Sequence, residues 1–196
     1  MEPIHFSGVA ELQRLCFPPP FDNSILWNQD HLETHLDKFP VGQFVALDGD
    51  KVVGSCSNTI ISSNLAEKRF GWYETVGGLS LSTFDPLEKI LFGVDISVHP
   101  DYRRQGIGRR FYQERDSLMI MFGLDGYVTH CRIPDFSTSG YDDVKKYCWD
   151  VSQSKISDRT LTPLLRYGLT MEWALSDHWD DPESGNAAAM LSRYWI

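Results

Sequence analysis

The sequence predicts a single domain of the α/β or α+β class. Three observations support this prediction. The 196 residues, 42% of them hydrophobic, are enough for one compact core, and helical and strand periodicities alternate along the chain. Proline and glycine separate the periodic segments without forming a linker. We therefore expect residues 1–196 to form one domain.

The first quarter of the chain reads as two helices followed by two strands. Apolar residues at helical spacing end at a run of three prolines, and a second helix is expected over residues 28–38. Residues 43–47 and 51–57 are rich in β-forming residues. The sequence Asp48-Gly49-Asp50 between them predicts a hairpin turn.

The middle of the chain contains the clearest strand and the clearest helix. Residues 62–88 are polar and glycine-rich, and their structure stays open at this stage. Residues 91–98 end in strict alternation of apolar and polar side chains, which predicts a strand. Apolar residues at helical spacing then predict a helix from residue 107 to a cap at Gly123. The remaining expected elements are a strand at 127–133, helices at 142–153 and 163–167, and a strand at 169–175.

Charge and cysteine content restrict the partners that we expect. With 18 Lys and Arg against 27 Asp and Glu, the formal net charge of −9 disfavours a nucleic-acid partner and suits a cationic one such as an amine. The four cysteines are scattered and show no metal-ligand spacing, so we expect reduced thiols and no metal site. We find neither a signal sequence nor a long apolar run, and we therefore expect a cytoplasmic protein without a membrane partner.

The segment with the most chemical information is residues 98–110, which joins the clearest strand to the clearest helix. A helix N-terminus offers unpaired N–H groups and a partial positive charge, and the glycines at 106 and 108 allow an anion to approach. Arginines at 103, 104, 109 and 110 add positive charge where the helix dipole disfavours it, unless an anion binds there. The segment therefore predicts a phosphate or pyrophosphate site. The alternative is a glycine-rich turn with solvated arginines.

The same segment distinguishes between phosphate-binding motifs. Neither the GxxxxGK(S/T) pattern nor the GxGxxG pattern is present. Instead, Arg103-x-x-Gly106-x-Gly108 follows a strand that ends in Val98-His99-Pro100. This arrangement resembles the pyrophosphate loop of the GNAT superfamily of acyl-CoA-dependent N-acetyltransferases, and the order of elements over residues 43–175 agrees. The sequence also looks like a free-standing version of the GNAT domain that is fused to carbon-nitrogen hydrolases in some bacterial proteins. The residues that carry this second likeness are 91–100, 132–134 and 181–187.

The resemblance implies a fold, a cofactor and an activity. It implies a mixed, mostly antiparallel central sheet flanked by helices and splayed between its fourth and fifth strands. It also implies direct transfer of an acetyl group from acetyl-CoA to a primary amine of a small molecule, peptide or protein, and a homodimer is compatible with this activity. The residues that the resemblance assigns to the cofactor are Ile96, Ser97, Val98, Arg103, Arg104, Gln105, Gly106, Ile107, Gly108 and Arg109.

The general base that the resemblance implies is absent from its usual position. In GNAT proteins this base is often a Glu on the strand before the loop, and Phe92 stands at the equivalent position here. His130, in the next strand, is our first candidate, because an unperturbed imidazole is partly neutral at working pH. The alternative for His130 is a buried side chain satisfied by a backbone carbonyl. Asp95 is the second candidate. It faces away from Val94 and Ile96 on its strand, which favours a hydrogen-bonded structural or substrate-facing carboxylate over a base.

The usual general acid is also missing. In the resembled superfamily it is a Tyr four residues before a Gly-Phe pair, and here Leu164 precedes Gly168-Leu169. Tyr141 and Tyr147 are the candidate substitutes, and Tyr167 adjoins the pair. The oxyanion is expected to bind a backbone N–H near Ile96.

Two segments are candidates for the acceptor side of the site. Residues 72–84 and 173–179 supply aromatic and acidic side chains that suit a cationic amine. The alternative is ordinary aromatic packing. Two other functions stay open from the sequence. One is a non-catalytic acyl-CoA-binding or regulatory module, and the other is a transferase for a different acyl donor or an alcohol acceptor.

Overall fold

A computed structural model describes residues 1–194 of the chain. In this part of the chain there are seven α-helices and six strands, joined by turns and short 3-10 segments. The helices are α1 (Phe6–Cys16), α2 (Gln29–Lys38), α3 (Ser63–Glu67), α4 (Trp72–Val76), α5 (Ile107–Phe122), α6 (Val144–Ser152) and α7 (Leu161–Arg166). The strands are β1 (Gln43–Asp48), β2 (Lys51–Ile61), β3 (Ile90–Val98), β4 (Gly126–Arg132), β5 (Thr170–Leu175) and β6 (Ala188–Tyr194).

The strands form one mixed sheet in the order β1-β2-β3-β4-β6-β5. Every neighbouring pair is antiparallel except β3 and β4, which are parallel. This confirms the prediction of a mostly antiparallel central sheet flanked by helices. No helix in residues 1–194 has both the length and the apolar character that crossing a bilayer requires.

Side chains alternate between the two faces of the sheet along each strand, and helices pack against both faces. Leu91 of β3 and Tyr127 of β4 pack in a core with residues of α5, α6 and α7. Their neighbours Phe92 and Val128 point the other way, into a second core with residues of α1 and α2. The sheet therefore separates two layers of helices.

The parallel pair β3 and β4 separates part of the way along its length. Residues 90–93 pair with residues 126–129, and beyond this point no pairing joins the two strands. At the point of separation, a shift in register leaves Val94 without a partner in β2. A side chain at Gly93 would collide with Tyr127, since a Cβ atom there would lie 2.2 Å from the Tyr127 hydroxyl oxygen. The result is a wedge-shaped opening in the sheet.

The expected splay between two central strands is confirmed, although these strands are the third and fourth in chain order. The numbering differs because two strands, rather than three, precede β3 in the described residues. The segment 62–88, left open by the sequence, contains α3 and α4 and buries Val76 and Leu81 in the second core.

Strand β6 was not expected from the sequence. It lies between β4 and β5 and buries residues 188–192. Three consecutive alanines at 187–189 favour a helix over a strand by local propensity. The pairing of β6 with two neighbouring strands overrides that preference.

Candidate functional site

A cleft of about 1260 Å³ opens where β3 and β4 separate. One end of it is the turn that leads into α5, and its other end is a group of tryptophans. All of the residues predicted from the resemblance to hold a cofactor line this cleft except Gln105. The side chain of Gln105 is exposed and donates a hydrogen bond to the backbone carbonyl of Asp101 (3.1 Å).

The turn before α5 presents a row of backbone N–H groups. Arg104 (φ 61°) and Gly106 (φ 88°) both adopt left-handed conformations, which are costly for Arg104 and free of strain for Gly106. The first backbone hydrogen bond into the helix runs from Arg110 N–H to the Gly106 carbonyl (2.9 Å). The amides of residues 104–109 have no acceptor within residues 1–194. Successive N–H groups of this kind form a concave anion site.

The glycine at 108 leaves this site open. A Cβ atom built on Gly108 would have no described protein atom within 4 Å, and the residue lines the cleft. A side chain at this position would therefore meet no described protein atom and would share the cleft with the neighbouring amides.

The arginines of the segment divide into two groups. The Arg103 Nε donates to the Val98 carbonyl (3.0 Å), and Arg110 forms an ion pair with Glu114 (2.8 Å) outside the lining of the cleft. Arg104 and Arg109 line the cleft, and their side chains form no hydrogen bond or ion pair in the described part of the chain. This end of the cleft is therefore positively charged in a chain of net charge −9.

Strand β3 supplies the adjoining wall beyond the point of separation. The backbone carbonyl of Val98 already accepts from Arg103 and from the Cys16 thiol (3.4 Å). Ile96 is half-buried and lines the cleft, and the buried Ser97 hydroxyl donates to the Asp95 carboxylate (3.3 Å).

Asp95 lies in the cleft wall with its carboxylate largely enclosed by protein. It accepts hydrogen bonds from the Gln13 side-chain amide (3.1 Å) and from the Ser97 hydroxyl. Burial raises the pKa of the Asp95 carboxyl to about 6, and the two hydrogen bonds and the charge of Arg115 only partly oppose this effect. The carboxylate can therefore exchange a proton near neutral pH.

His130 also lines the cleft, on the face of β4 opposite to α5. Its ring stands edge-on to Phe92 (5.1 Å between centroids) and to His178 (4.9 Å). Burial lowers the pKa of His130 to about 3 and that of His178 to about 4, so both rings are neutral at pH 7. The Nδ1 atom of His130 and the Nε2 atom of His178 have no hydrogen-bond partner in residues 1–194.

The two candidate tyrosines lie away from the cleft. The Tyr141 hydroxyl donates to Asp150 (3.1 Å), and the buried Tyr147 hydroxyl donates to Asp158 (2.8 Å). Burial, together with Asp158, raises the pKa of Tyr147. Neither tyrosine lines the cleft, so the structure does not bring them together with His130.

A different tyrosine is part of the cleft lining, near Arg109. Tyr167 lines the cleft, and its hydroxyl donates to Asp116 (2.9 Å). Its ring is tilted against that of Tyr112, with the centroids 4.7 Å apart. The hydroxyl of Tyr167 is therefore already engaged with a carboxylate.

Three tryptophans from distant parts of the chain form the opposite end of the cleft. Trp72 lies between Trp27 (6.0 Å) and Trp179 (5.9 Å), and its indole N–H donates to the Val94 carbonyl (3.0 Å). Trp72 and Trp179 belong to the segments that were expected to contact the acceptor. Trp27, from the loop before α2, was not anticipated.

Two polar residues of the cleft were not predicted from the sequence, because each lies on the apolar face of a helix. Gln13 follows Leu12 in the apolar stripe of α1, and Arg115 lies between Phe111 and Leu118 in the stripe of α5. Both side chains are 2% exposed. A polar residue interrupting an apolar stripe was the available signal, since buried polar groups require partners.

Comparison with known proteins gives matches over most of the chain. The model of the acetyltransferase (GNAT) family matches residues 6–119. "Uncharacterized N-acetyltransferase YkwB" of Bacillus subtilis (strain 168) is 30% identical over 184 residues, which cover 93% of this chain and 81% of that protein. "Probable hydrolase YhcX" of the same organism is 30% identical over 164 residues, which cover 83% of this chain but 31% of that protein.

Solved structures with the same fold are more distant in sequence. The GphF GNAT-like decarboxylase in complex with isobutyryl-CoA has a TM-score of 0.80 at 18% identity, with 99% of this chain and 96% of that chain covered. An aminoglycoside 6'-N-acetyltransferase complexed with coenzyme A has a TM-score of 0.62 at 14% identity, with 98% and 92% covered. These similarities establish the fold.

Proposed function

The chain belongs to the acetyltransferase (GNAT) family, and from this premise we propose that it transfers an acetyl group from acetyl-CoA directly to a primary amine. The coarser activity, acyl-CoA-dependent acyl transfer, follows from the family itself. The observation that carries the finer proposal is the row of free backbone amides at residues 104–109, which opens into the cleft. Here acetyl-CoA is the substrate that supplies the thioester.

The cofactor end of the cleft suits the charge and shape of CoA. The amides of residues 104–109 would bind the pyrophosphate, and Arg104 and Arg109 would neutralise its charge. The edge of β3 beyond Gly93 is left unpaired by β4, so the pantetheine arm can lie along it as an added strand. Ile96 and Val98 are the residues of this edge that we assign to the pantetheine amides.

The acceptor would enter from the tryptophan end of the cleft. A primary amine must lose a proton before it attacks the thioester carbonyl. We assign this proton to the Asp95 carboxylate, because a group with a pKa of about 6 is mostly ionised at pH 7 and still accepts a proton. His130, with a pKa of about 3, would serve as a neutral hydrogen-bonding group beside the amine.

The cysteines of the cleft support direct transfer without a covalent enzyme intermediate. Cys16 and Cys131 both line the cleft. Burial raises the pKa of each thiol, so neither is a thiolate at neutral pH. We therefore assign the reaction to a ternary complex, with the oxyanion bound by a backbone N–H near Ile96.

An amine panel assayed with acetyl-CoA tests this proposal. The purified chain is mixed with acetyl-CoA and one amine at a time, free thiol is measured, and the acetylated amine is identified by mass spectrometry. We expect thiol release that depends on a primary amine and matches the amount of acetylated product. Thiol release without an amine, or none with any amine, would contradict direct transfer.

A further inference from the structure

One buried cation in the cleft wall has no role in the proposed transfer up to this point of the reaction: Arg115. Arg115 is 2% exposed and forms no ion pair with a carboxylate in the described residues. Its Nε donates to the Asn58 side-chain oxygen (2.6 Å), and its Nη2 donates to the backbone carbonyl of Asp95 (3.1 Å). The rings of Tyr112 and Tyr127 flank the guanidinium at 5.0 and 5.2 Å.

The remaining nitrogen of this guanidinium has no partner. Arg115 Nη1 is buried and makes no hydrogen bond within residues 1–194. Burying an unpaired charged donor is costly, and structures normally satisfy such groups. Arg115 lines the cleft together with Gly93 and Thr129, the last residues at which β3 and β4 are paired. The unpaired donor therefore belongs to the point where the strands separate.

This point coincides with the expected position of the reacting sulfur. Helix α5 begins at Ile107, beside the amides assigned to the pyrophosphate, and Arg115 follows eight residues later. At 1.5 Å per residue, the two positions are about 12 Å apart along the helix axis. A pantetheine arm that runs from the turn along β3 would bring its sulfur end to the separation of the strands.

We propose that Arg115 stabilises the thiolate that leaves acetyl-CoA, by donating a hydrogen bond from Nη1 to the sulfur. This inference rests on the proposed function and deepens it. The amine nitrogen forms a bond to the acetyl carbon, and the carbon-sulfur bond breaks. The sulfur keeps the electron pair. The nitrogen gives one proton to Asp95 before the attack and a second proton to water as the amide forms, and solvent returns a proton to the thiolate after release.

The tyrosine that usually protonates the sulfur in the resembled superfamily is missing from this sequence. At the position where a tyrosine would protonate the sulfur stands Leu164, which also lines the cleft. An arginine side chain does not give up its proton at neutral pH, so Arg115 would act by its charge. A charge-assisted hydrogen bond to the sulfur, made inside a buried cleft, lowers the energy of the thiolate without transferring a proton to it.

The groups that face Arg115 do not titrate in the range where the thiol is tested. They are Cys56 on β2, Asp95 on β3, Tyr112 on α5, Tyr127 on β4 and Tyr167 after α7, and burial raises the pKa of Tyr167 above its usual value. Burial raises the pKa values of Cys56, Tyr112 and Tyr127, and that of Asp95 rises to about 6. Between pH 7.5 and 8.5 the thiol of bound CoA is therefore the group in contact with Arg115 that can change its charge.

Calorimetric titration of the chain with two ligands tests the proposal. The ligands are CoA and desulfo-CoA, in which hydrogen replaces the thiol, and titrations at pH 8 use buffers of different ionisation enthalpy. An ordinary thiol titrates near 8.5. We expect CoA to release more protons than desulfo-CoA, up to one per site, and to bind about tenfold more tightly.

Three variants separate thiolate stabilisation from a structural role. Arg115→Gln should abolish the extra proton release and the preference for CoA, Arg115→Lys should keep part of both, and Arg14→Gln, at an exposed position, should behave as wild type. Equal losses for CoA and desulfo-CoA in Arg115→Gln would overturn the proposal in favour of a structural role.

The wild-type titrations test the role of Arg115 even if the Arg115→Gln variant does not fold. Equal proton release by the two ligands in the wild-type chain would overturn the role of Arg115 and leave the proposed function intact. Failure of both ligands to bind would overturn the two proposals together.

Discussion

At the scale of single residues, burial decides which titratable groups of the cleft can exchange a proton. Asp95 and His130 both line the cleft, yet burial shifts their pKa values in opposite directions, to about 6 and about 3. Desolvation disfavours the charged form of each, which makes the carboxyl a better base and the imidazole a poorer one. The carboxylate is therefore the better proton acceptor at pH 7.

Substitution of Asp95 tests this assignment. Asp95→Asn keeps the size of the side chain and removes the base, so we expect kcat to fall by about 10²-fold or more while CoA affinity is unchanged. In the wild-type chain activity should rise with pH through about 6, because only the deprotonated carboxylate accepts a proton. The residual activity of the variant should lack this rise.

The control for this substitution is Asp125→Asn, at an exposed position outside the cleft, which should have the wild-type pH profile. A rise near pH 6 that survives in Asp95→Asn would show that another group takes the proton.

Substitution of His130 gives a separate prediction about kcat and its pH dependence. His130→Ala removes a neutral hydrogen-bonding group beside the amine, so we expect about a tenfold loss of kcat from poorer positioning and little change in CoA affinity. The rise of activity near pH 6 should remain, because His130 titrates far below this range. Rate-pH profiles of the variant and of His5→Ala, which lies outside the cleft, provide the measurement. Loss of the rise in His130→Ala would instead identify His130 as the base.

Single residues were the hardest level to predict from the sequence. The turn before α5 was recognisable as a candidate anion site, because its glycines and arginines act through local backbone geometry. The preference for His130 over Asp95 relied on unperturbed pKa values, and a sequence does not state how deeply a side chain is buried. Arg115 was not singled out, because its neighbours in the stripe of α5 are apolar and only the fold shows that it is buried.

At the scale of elements, one arginine connects the end of β4 to two loops beside the cleft. Arg132 forms a two-pronged ion pair with Asp181 (2.6 and 2.7 Å) in the loop before β6. Its guanidinium also lies over the rings of Phe17 and Phe21, which follow α1. These contacts hold both loops at the opening between β3 and β4.

Removal of the Arg132 guanidinium should lower the free energy of unfolding. Arg132→Met leaves the Asp181 carboxylate, whose side chain is 5% exposed, without its cation, and we expect a loss of about 3 kcal/mol in the free energy of unfolding. Urea denaturation provides the measurement. The matched control is Arg159→Met, since the ion pairs of this exposed arginine should contribute less than about 1 kcal/mol. Equal losses in the two variants would contradict the connecting role of Arg132.

Periodicity predicted elements well where local preference and tertiary position agree. Strand β3 and helix α5 were both recognised, since each has one clear period and clear ends. Strand β6 was missed because its alanines favour a helix, and only its place between two strands makes it extended. The segment that contains α3 and α4 has short helices held by packing, which leave little periodicity to detect.

At the scale of the whole molecule, charge is distributed unevenly around the cleft. The chain carries a formal net charge of −9, yet Arg104 and Arg109 place positive charge at one end of the cleft, and neither forms an ion pair with a carboxylate of residues 1–194. The sheet opening joins this end to the tryptophans at the other. One surface can therefore bring an anionic acyl donor and an amine to the same strand edge.

Our main claim is that the free amides at residues 104–109 bind the pyrophosphate of CoA. Thermal unfolding of the chain with and without CoA provides the measurement. The variants are Gly108→Asp, which adds a carboxylate where the Cβ has open space in front of the amides, and Gln113→Asp, which adds the same charge to an exposed position of α5. At a CoA concentration of about 100 times Kd, we expect Tm to rise by roughly 5–10 °C for the wild-type chain and for Gln113→Asp, and not to change for Gly108→Asp. Equal stabilisation of Gly108→Asp by CoA, or none of the wild-type chain, would contradict the claim.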